Sequence, residues 1–254
     1  MLLRRSKIKA SVVIPARLAS TRLPEKALLK ETGKFLVQHV YEQAIQAQKI
    51  DKVIVATDSE KIVEAVQSFS GEVQLTSELH QSGTDRIAEV AQNESADIFV
   101  NVQGDEPEIS PQAIDAVVSL LLENPQADIA TLAYPISPAK AQDPNLVKVV
   151  RDTKKFALYF SRAPIPFMRD QETTVREDIY LGHVGIYAYR KNFLKVYSSL
   201  RPSFLERLEK LEQLRALENN FKIIVGETTE STRGIDTKED YQNFVERFQQ
   251  KCTN

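Results

Sequence analysis

Cysteine is nearly absent. The single Cys252 has no second thiol in the chain to pair with, which excludes a disulfide-built scaffold and fits a reducing compartment. An excess of one charge is also missing, since 33 Lys and Arg against 35 Asp and Glu leave a net charge of -2. A nucleic-acid surface normally carries a basic excess, so no nucleic-acid partner is expected and the cationic clusters must be local. No apolar run approaches the roughly 20 residues that span a bilayer. The start, MLLRRSKIKA, is basic but has no apolar segment of the kind a secretory leader carries. A cytoplasmic protein without membrane insertion is therefore expected. Neither glycine-built phosphate loop occurs, GxGxxG or GxxxxGK[ST]. The three histidines, His39, His80 and His183, show no zinc spacing, and no serine-hydrolase elbow is found. Covalent catalysis is not expected, and His183 in a strand-like segment reads by default as a packed side chain.

What is present is an alternation of patterns. The 254 residues, 42% of them hydrophobic, suffice for one α/β domain with a full core. Val12, Val13 and Ile14 read as a buried strand that Pro15 stops, because proline cannot donate to a ladder. Helical spacing follows over 35–47, a strand over 52–56, a helix over 61–69 and a strand over 72–76. A helix over 87–92, a strand over 98–102 and a helix over 111–122 continue the series. Such alternation predicts a mostly parallel sheet with helices on both faces. Strand-like segments over 147–150, 157–160 and 183–189, with a long loop over 163–177, read as a β-rich insertion at about 145–200 inside a single domain spanning 1–254. One helix is expected over 203–218, opened by Ser203 and Glu206 in capping-box spacing. Its leucines at 205, 208, 211, 214 and 217 wrap more than half its circumference and put Glu212 inside the apolar arc. A carboxylate there needs either an ion pair with Arg215 or a ligand. A strand over 222–225, a polar loop over 229–234 and a helix over 238–248 close the chain.

The stretch SVVIPARLASTRLPEK, residues 11–26, carries Arg17, Arg22 and Lys26 just beyond the first strand, with no acidic residue before Glu25 and no glycine. In open α/β sheets ligands bind beyond the carboxyl ends of strands. Three converging cations suit a triphosphate with its metal; otherwise they are simply solvated. Gln103-Gly104-Asp105-Glu106-Pro107 directly follows another strand. Asp105 there suits Mg²⁺, a hard cation that prefers oxygen ligands, or else it forms an ordinary turn. Asp236 stands between a loop and the last helix. By itself it, or Thr237 boxed with Asp240, reads as a helix cap. Taken together, Asp105 and Asp236 could flank a metal–triphosphate. HQSGTDR, residues 80–86, is a polar loop before a helix that either reaches a base edge, with Arg86 on an anion, or merely connects and caps.

These pieces resemble the 3-deoxy-manno-octulosonate cytidylyltransferase family, also called CMP-Kdo synthetases, from about residue 12 to 240. The opening is similar to its IPAR-x-x-S-x-RLP-x-K signature, with Glu25 where glycine is common. HQSGTDR, NVQGDEP, VKVV, ALYFSRAPIP, GHVGIYAYR, LEKLEQLR and GIDTKED follow in the family's order. RLP-x-K recurs in other sugar nucleotidyltransferases, while YFSRAPIP with LEQLR is more selective. The resemblance implies a Rossmann-like nucleotide-diphospho-sugar transferase fold with a β-rich dimerisation insertion, and a homodimer. It implies that CTP meets Pro15, Ala16, Arg17, Ser20, Arg22, Lys26, Ser82, Arg86, Gln103 and Asp105. It implies Mg²⁺ on Asp105 and Asp236, and Kdo on Arg162, His183, Tyr187, Glu212 and Gln213. The implied reaction, serving lipopolysaccharide biosynthesis, is attack of the Kdo anomeric hydroxyl on the α-phosphorus of CTP. Pyrophosphate leaves, with Lys26, Arg17, Asp105 and Asp236 as the catalytic set. CTP-dependent activation of another ulosonic acid, amino-Kdo or an acylneuraminate, is the alternative, and a silent nucleotide-binding protein is a third possibility.

Overall fold

The structure is a computed structural model that describes residues 8–19, 22–80, 82–169, 179–229 and 234–253. It divides into two compact units, Met1–Asp115 with Thr232–Asn254, and Ala116–Ser231. Among the described residues no helix is long and apolar enough to cross a membrane.

The first unit holds β1 (Ala10–Ala16), α1 (Leu36–Ala44), β2 (Lys52–Thr57), α2 (Glu60–Ser68), β3 (Val73–Leu75), α3 (Gly83–Asn93) and β4 (Ile98–Asn101). Its four strands lie in the order β3-β2-β1-β4, all parallel. The expected α/β alternation is thus the observed one. β1, β2 and β4 are almost continuously buried, as strands with both faces covered must be.

Pro15 does not end β1, contrary to the sequence reading. The strand pairs with β2 as far as Ala16, but with β4 only as far as Val13. Val13 turns its carbonyl to the β4 side, accepting from Val102 N–H at 3.2 Å. Pro15 shares that parity, so its missing donor faces the side where the ladder has already stopped. The polar loop expected over residues 80–86 is also shorter than it looked. α3 starts at Gly83, because Ser82 Oγ accepts the Asp85 N–H at 3.1 Å and caps the helix.

The last helix, α9 (Lys238–Thr253), returns to this unit. Its Tyr241, Phe244 and Val245 pack with Leu23, Leu36 and Ile235, and Tyr241 Oη accepts the Glu31 N–H at 2.9 Å. The loop before α9 is thereby fastened to the loop after β1.

α4 (Pro111–Glu123) crosses the chain boundary between the units. The second unit then holds β5 (Ile129–Ile136), α5 (Pro138–Ala141), β6 (Lys148–Arg151), β7 (Ala157–Ser161), β8 (Tyr180–Arg190), α6 (Lys191–Tyr197), α7 (Phe204–Glu209), α8 (Gln213–Glu218) and β9 (Ile223–Glu227). β5, absent from the sequence reading, pairs antiparallel with β8 and parallel with β9. β6 and β7 form an antiparallel pair, and β6 meets β8 at Lys148 and Gly182. The loop expected over 163–177 is described only as far as Arg169, with a cis Ile165–Pro166 bond; the remainder lies outside the described residues.

The single helix expected over 203–218 is two helices. Lys210 turns left-handed at φ 56°, and Leu211 N–H returns to the Glu206 carbonyl at 3.3 Å, closing α7. This break also corrects the reading of Glu212, which is exposed rather than set in an apolar arc. Arg215 donates from Nε to Glu206 at 2.8 Å, buried beneath the break. Glu206 also accepts the Ser203 N–H at 2.9 Å, the contact that the capping-box spacing predicts.

Candidate active site

β1 and β4 run parallel side by side, so the loops that follow them leave the same edge of the sheet. Gly104 lies directly against Pro15. A Cβ at this position would sit 2.8 Å from the Pro15 carbonyl oxygen, so a side chain is excluded. A cavity of about 360 Å³ opens there, lined by Arg17, Arg22, Lys26, Gln103, Asp105 and Asp236, with Pro15 and Ala16 on its wall.

Lys26 is the centre of the cavity. Its ammonium donates to Asp105 Oδ2 at 2.5 Å, to the Ile235 carbonyl at 2.6 Å and to Asp236 Oδ1 at 3.4 Å. Arg22 meets the same Asp236 oxygen at 3.1 Å. Ile235 N–H donates to the Asp105 carbonyl at 2.9 Å, tying the two acidic loops together by backbone. Thr237 supplies the α9 cap, accepting Asp240 N–H at 3.1 Å while Asp240 takes the Thr237 N–H at 2.8 Å. Those contacts depress the Asp240 carboxyl, the Thr237 hydroxyl bond foremost. Capping thus falls to Thr237, and Asp236 turns its carboxylate to the cavity instead.

The donor set suits a magnesium ion. Among the described residues no three His, Cys, Asp or Glu side chains gather into a cage. Mg²⁺ usually takes one or two carboxylates and fills the rest of its shell with water and phosphate oxygens. Asp105 and Asp236 already share one cation, the Lys26 ammonium, so both carboxylates can reach a common positive centre.

Not every expected nucleotide contact converges here. Arg86 lies in the first turn of α3, 4% exposed, with its guanidinium on Asp58 at 2.6 Å and on the Thr76 hydroxyl. It is not among the cavity-lining residues, and Ser82 is occupied as the cap of α3. Ser20 lies outside the described residues.

In the second unit His183 and Tyr187 stand side by side on β8, ring centroids 5.2 Å apart, and Phe160 meets the His183 edge at 5.1 Å. The Thr131 hydroxyl lies 2.7 Å from the Ile186 carbonyl and 3.2 Å from that of Val184. Its one proton is therefore spent on backbone, so His183 Nε2, 2.9 Å away, must be the donor to Thr131 Oγ1. That assigns the tautomer and leaves Nδ1 as an acceptor. Enclosure pushes the imidazole down to about 3, so the ring is neutral at ordinary pH. Burial raises the Tyr187 phenol, with the Tyr189 and Glu212 charges adding to it, which places Glu212 electrostatically near that ring. Gln213 opens α8 as a buried residue. Arg162 spends Nε on the Glu209 carbonyl at 2.8 Å and Nη1 on that of Pro144 at 3.0 Å. Lys148 and Glu209 around Arg162, and Thr131 beside His183, were not singled out in the sequence. A lysine set between Val147 and Val149 inside VKVV, and the place of Glu209 inside LEKLEQLR, were the available signals.

An α/β fold with cations and carboxylates at the strand ends defines a nucleotidyltransferase, and the cytidylyltransferase family matches residues 11–223. Identity to the 3-deoxy-manno-octulosonate cytidylyltransferase of Geobacter sulfurreducens is 46% over 246 residues, covering 94% of this chain and 98% of that one. To the Syntrophotalea carbinolica enzyme of the same name it is 49% over 236 residues, covering 91% and 94%. The solved structure of CMP:2-keto-3-deoxy-manno-octonic acid synthetase complexed with CTP matches at TM-score 0.91 and 44% identity, covering 96% of this chain and 99% of that one. A Leptospira borgpetersenii cytidylyltransferase, at 21% identity and TM-score 0.63 over 94% and 85% of the two chains, shares the fold. The chain belongs to the 3-deoxy-manno-octulosonate cytidylyltransferase family.

Proposed function

We propose that the chain activates 3-deoxy-D-manno-octulosonate (Kdo) with CTP, giving CMP-Kdo and pyrophosphate, in the cytoplasm and for lipopolysaccharide biosynthesis. The observation that carries this reading is the Lys26 ammonium held between Asp105 and Asp236 on a cavity rimmed by Arg17 and Arg22, in a chain of this family.

Arg17, Arg22 and Lys26 bind the triphosphate and offset its charge, and Gln103 with the Pro15–Ala16 backbone lines its seat. Mg²⁺ would be held by Asp105 and Asp236 and would supply charge neutralisation at the reacting phosphate. Lys26 and Arg17 stabilise the negative charge that builds on pyrophosphate as it departs. Arg162 takes the sugar-acid carboxylate, and the neutral His183 accepts a hydrogen bond from a sugar hydroxyl at Nδ1. Tyr187, Glu212 and Gln213 complete the hydroxyl contacts. In the reaction the anomeric oxygen forms a bond to the α-phosphorus, the α–β phosphoanhydride bond breaks with its electron pair leaving on pyrophosphate, and the hydroxyl proton passes to water. Positioning and preorganised charge supply most of the acceleration. A single catalytic domain over 1–254 and a homodimer belong to the same reading. Leu158, Phe167, Phe204 and Leu208 are exposed large apolar side chains of the second unit, which an association there would cover.

The test is pyrophosphate release from CTP with a panel of sugar acids. Kdo should outpace amino-Kdo and acylneuraminate; better turnover with either relative would displace it. Asp105→Asn should lower the rate with Kdo about a hundredfold or more, as loss of a charge-stabilising group does.

A further inference from the structure

Arg162 is held from two sides. On one side is Lys148, whose side chain is fully buried, at 0% exposure. Its Nζ donates to the carbonyls of Asp143 at 2.9 Å, Leu146 at 2.6 Å and Arg162 itself at 2.5 Å. Three acceptors use all three N–H groups of an ammonium, which is how a buried lysine charge is satisfied. The same contacts fix the turn that bears Pro144, whose carbonyl takes Arg162 Nη1 at 3.0 Å. On the other side is Glu209, the last residue of α7. Its carboxylate accepts from Ser161 Oγ at 2.6 Å and Arg162 N–H at 2.9 Å, while its carbonyl takes Arg162 Nε at 2.8 Å.

We infer that Lys148 and Glu209 are positioning residues for sugar-acid recognition, fixing the backbone and guanidinium of Arg162 so that its remaining N–H groups are presented to the substrate carboxylate. A guanidinium has five N–H donors, and backbone carbonyls hold one on Nε and one on Nη1. One on Nη1 and two on Nη2 have no partner among the described residues. These lie at the end of the fork, where a carboxylate can be gripped by two parallel bonds. Glu209 does a second thing. It stands directly before the left-handed Lys210, after which Glu212 and Gln213 follow. The clamp on Arg162 and the placement of the two residues proposed for sugar hydroxyls therefore share one anchor. A plain helix end would not require a buried cation on one flank and a doubly used carboxylate on the other.

The inference rests on the proposed role of Arg162, and the test separates the two. KM for Kdo and for CTP are measured separately by pyrophosphate release in R162A, K148M, E209A and E209Q, with far-UV circular dichroism and thermal melting as folding controls. K148M and E209A should each raise KM for Kdo about tenfold, with KM for CTP within about twofold, as loosened positioning of one substrate predicts. E209Q, which keeps an acceptor for Ser161 and Arg162, should recover part of the loss. In R162A/E209A, KM for Kdo should fall clearly short of the product of the two single effects, because the part of the Glu209 role that acts through Arg162 is already lost. An unchanged KM for Kdo in R162A would remove the Arg162 reading itself. A raised KM in R162A with unchanged values in K148M and E209A, or multiplied effects in the double variant, would overturn the positioning role alone. So would parallel rises of both KM values, which mark a structural lesion. If K148M does not fold, E209A and the double variant decide.

Discussion

Lys26 shows how much of a site depends on one side chain finding several acceptors. Removing its charge leaves Asp105 and Asp236 facing each other without their shared cation. Lys26→Met should reduce pyrophosphate release by about a hundredfold or more in the Kdo assay. The gathering of Arg17, Arg22, Lys26, Asp105 and Asp236 around one cavity was legible in the sequence, because their segments follow a strand or precede a helix. The pairing of Arg86 was not. Its partners Asp58 and Thr76 come from other parts of the chain, and only folding shows that they claim the guanidinium first. His183 gives a pH test with a defined sign. Its imidazole is pushed down to about 3, whereas the unfolded chain titrates near 6.5. Between those values the unfolded state binds more protons, so stability falls as pH drops, by up to about 1.4 kcal/mol per pH unit. In an NMR titration the His183 ring signals should stay at their neutral positions down to pH 5, and titration near 6 would overturn the assigned enclosure.

Single elements went wrong where one residue chose between two geometries. Leucines spaced by three described a continuous helix well, but they said nothing of Lys210 at φ 56° or of Glu206 reaching past the break to Arg215. A side chain in the left-handed region is disfavoured, so Lys210→Gly should raise urea-unfolding stability by about 0.5–1 kcal/mol. Glu206→Gln should lower it by about 3 kcal/mol, because a buried arginine loses the charge that compensates it. Glu25 belongs to the same class. Its φ of 50° is a conformation that glycine adopts freely and a side chain does not, and its carboxylate meets Lys61 at 2.9 Å. β5 escaped notice for a different reason. Its first five residues are buried without alternation, so Ile129 to Ala133 shows neither period two nor period 3.6. Pro15 misled in the opposite way, since proline ends a strand only when its missing donor faces a partner.

For the whole molecule, the α/β alternation was readable because each parallel strand carries its own short apolar run, while the contents of the second unit depended on pairings between distant segments. A ligand that binds only the folded state stabilises it by mass action, about 2.7 kcal/mol at a hundredfold excess over its dissociation constant. CTP with magnesium should therefore raise the melting temperature, and the Asp105→Asn variant should lose most of that shift. The fastening of α9 beside the site has a related consequence. Ile235 and Asp236 are held by Lys26 and Arg22 as well as by the Tyr241–Phe244–Val245 packing. The protein thus carries its own counter-ion for the two aspartates, and folding does not wait for a metal to neutralise them. Structural zinc modules behave in the opposite way and unfold when stripped. With a chelator present, catalysis should stop while the melting temperature of the ligand-free protein stays within about 2 °C of its starting value. The lysine keeps the cavity assembled between turnovers.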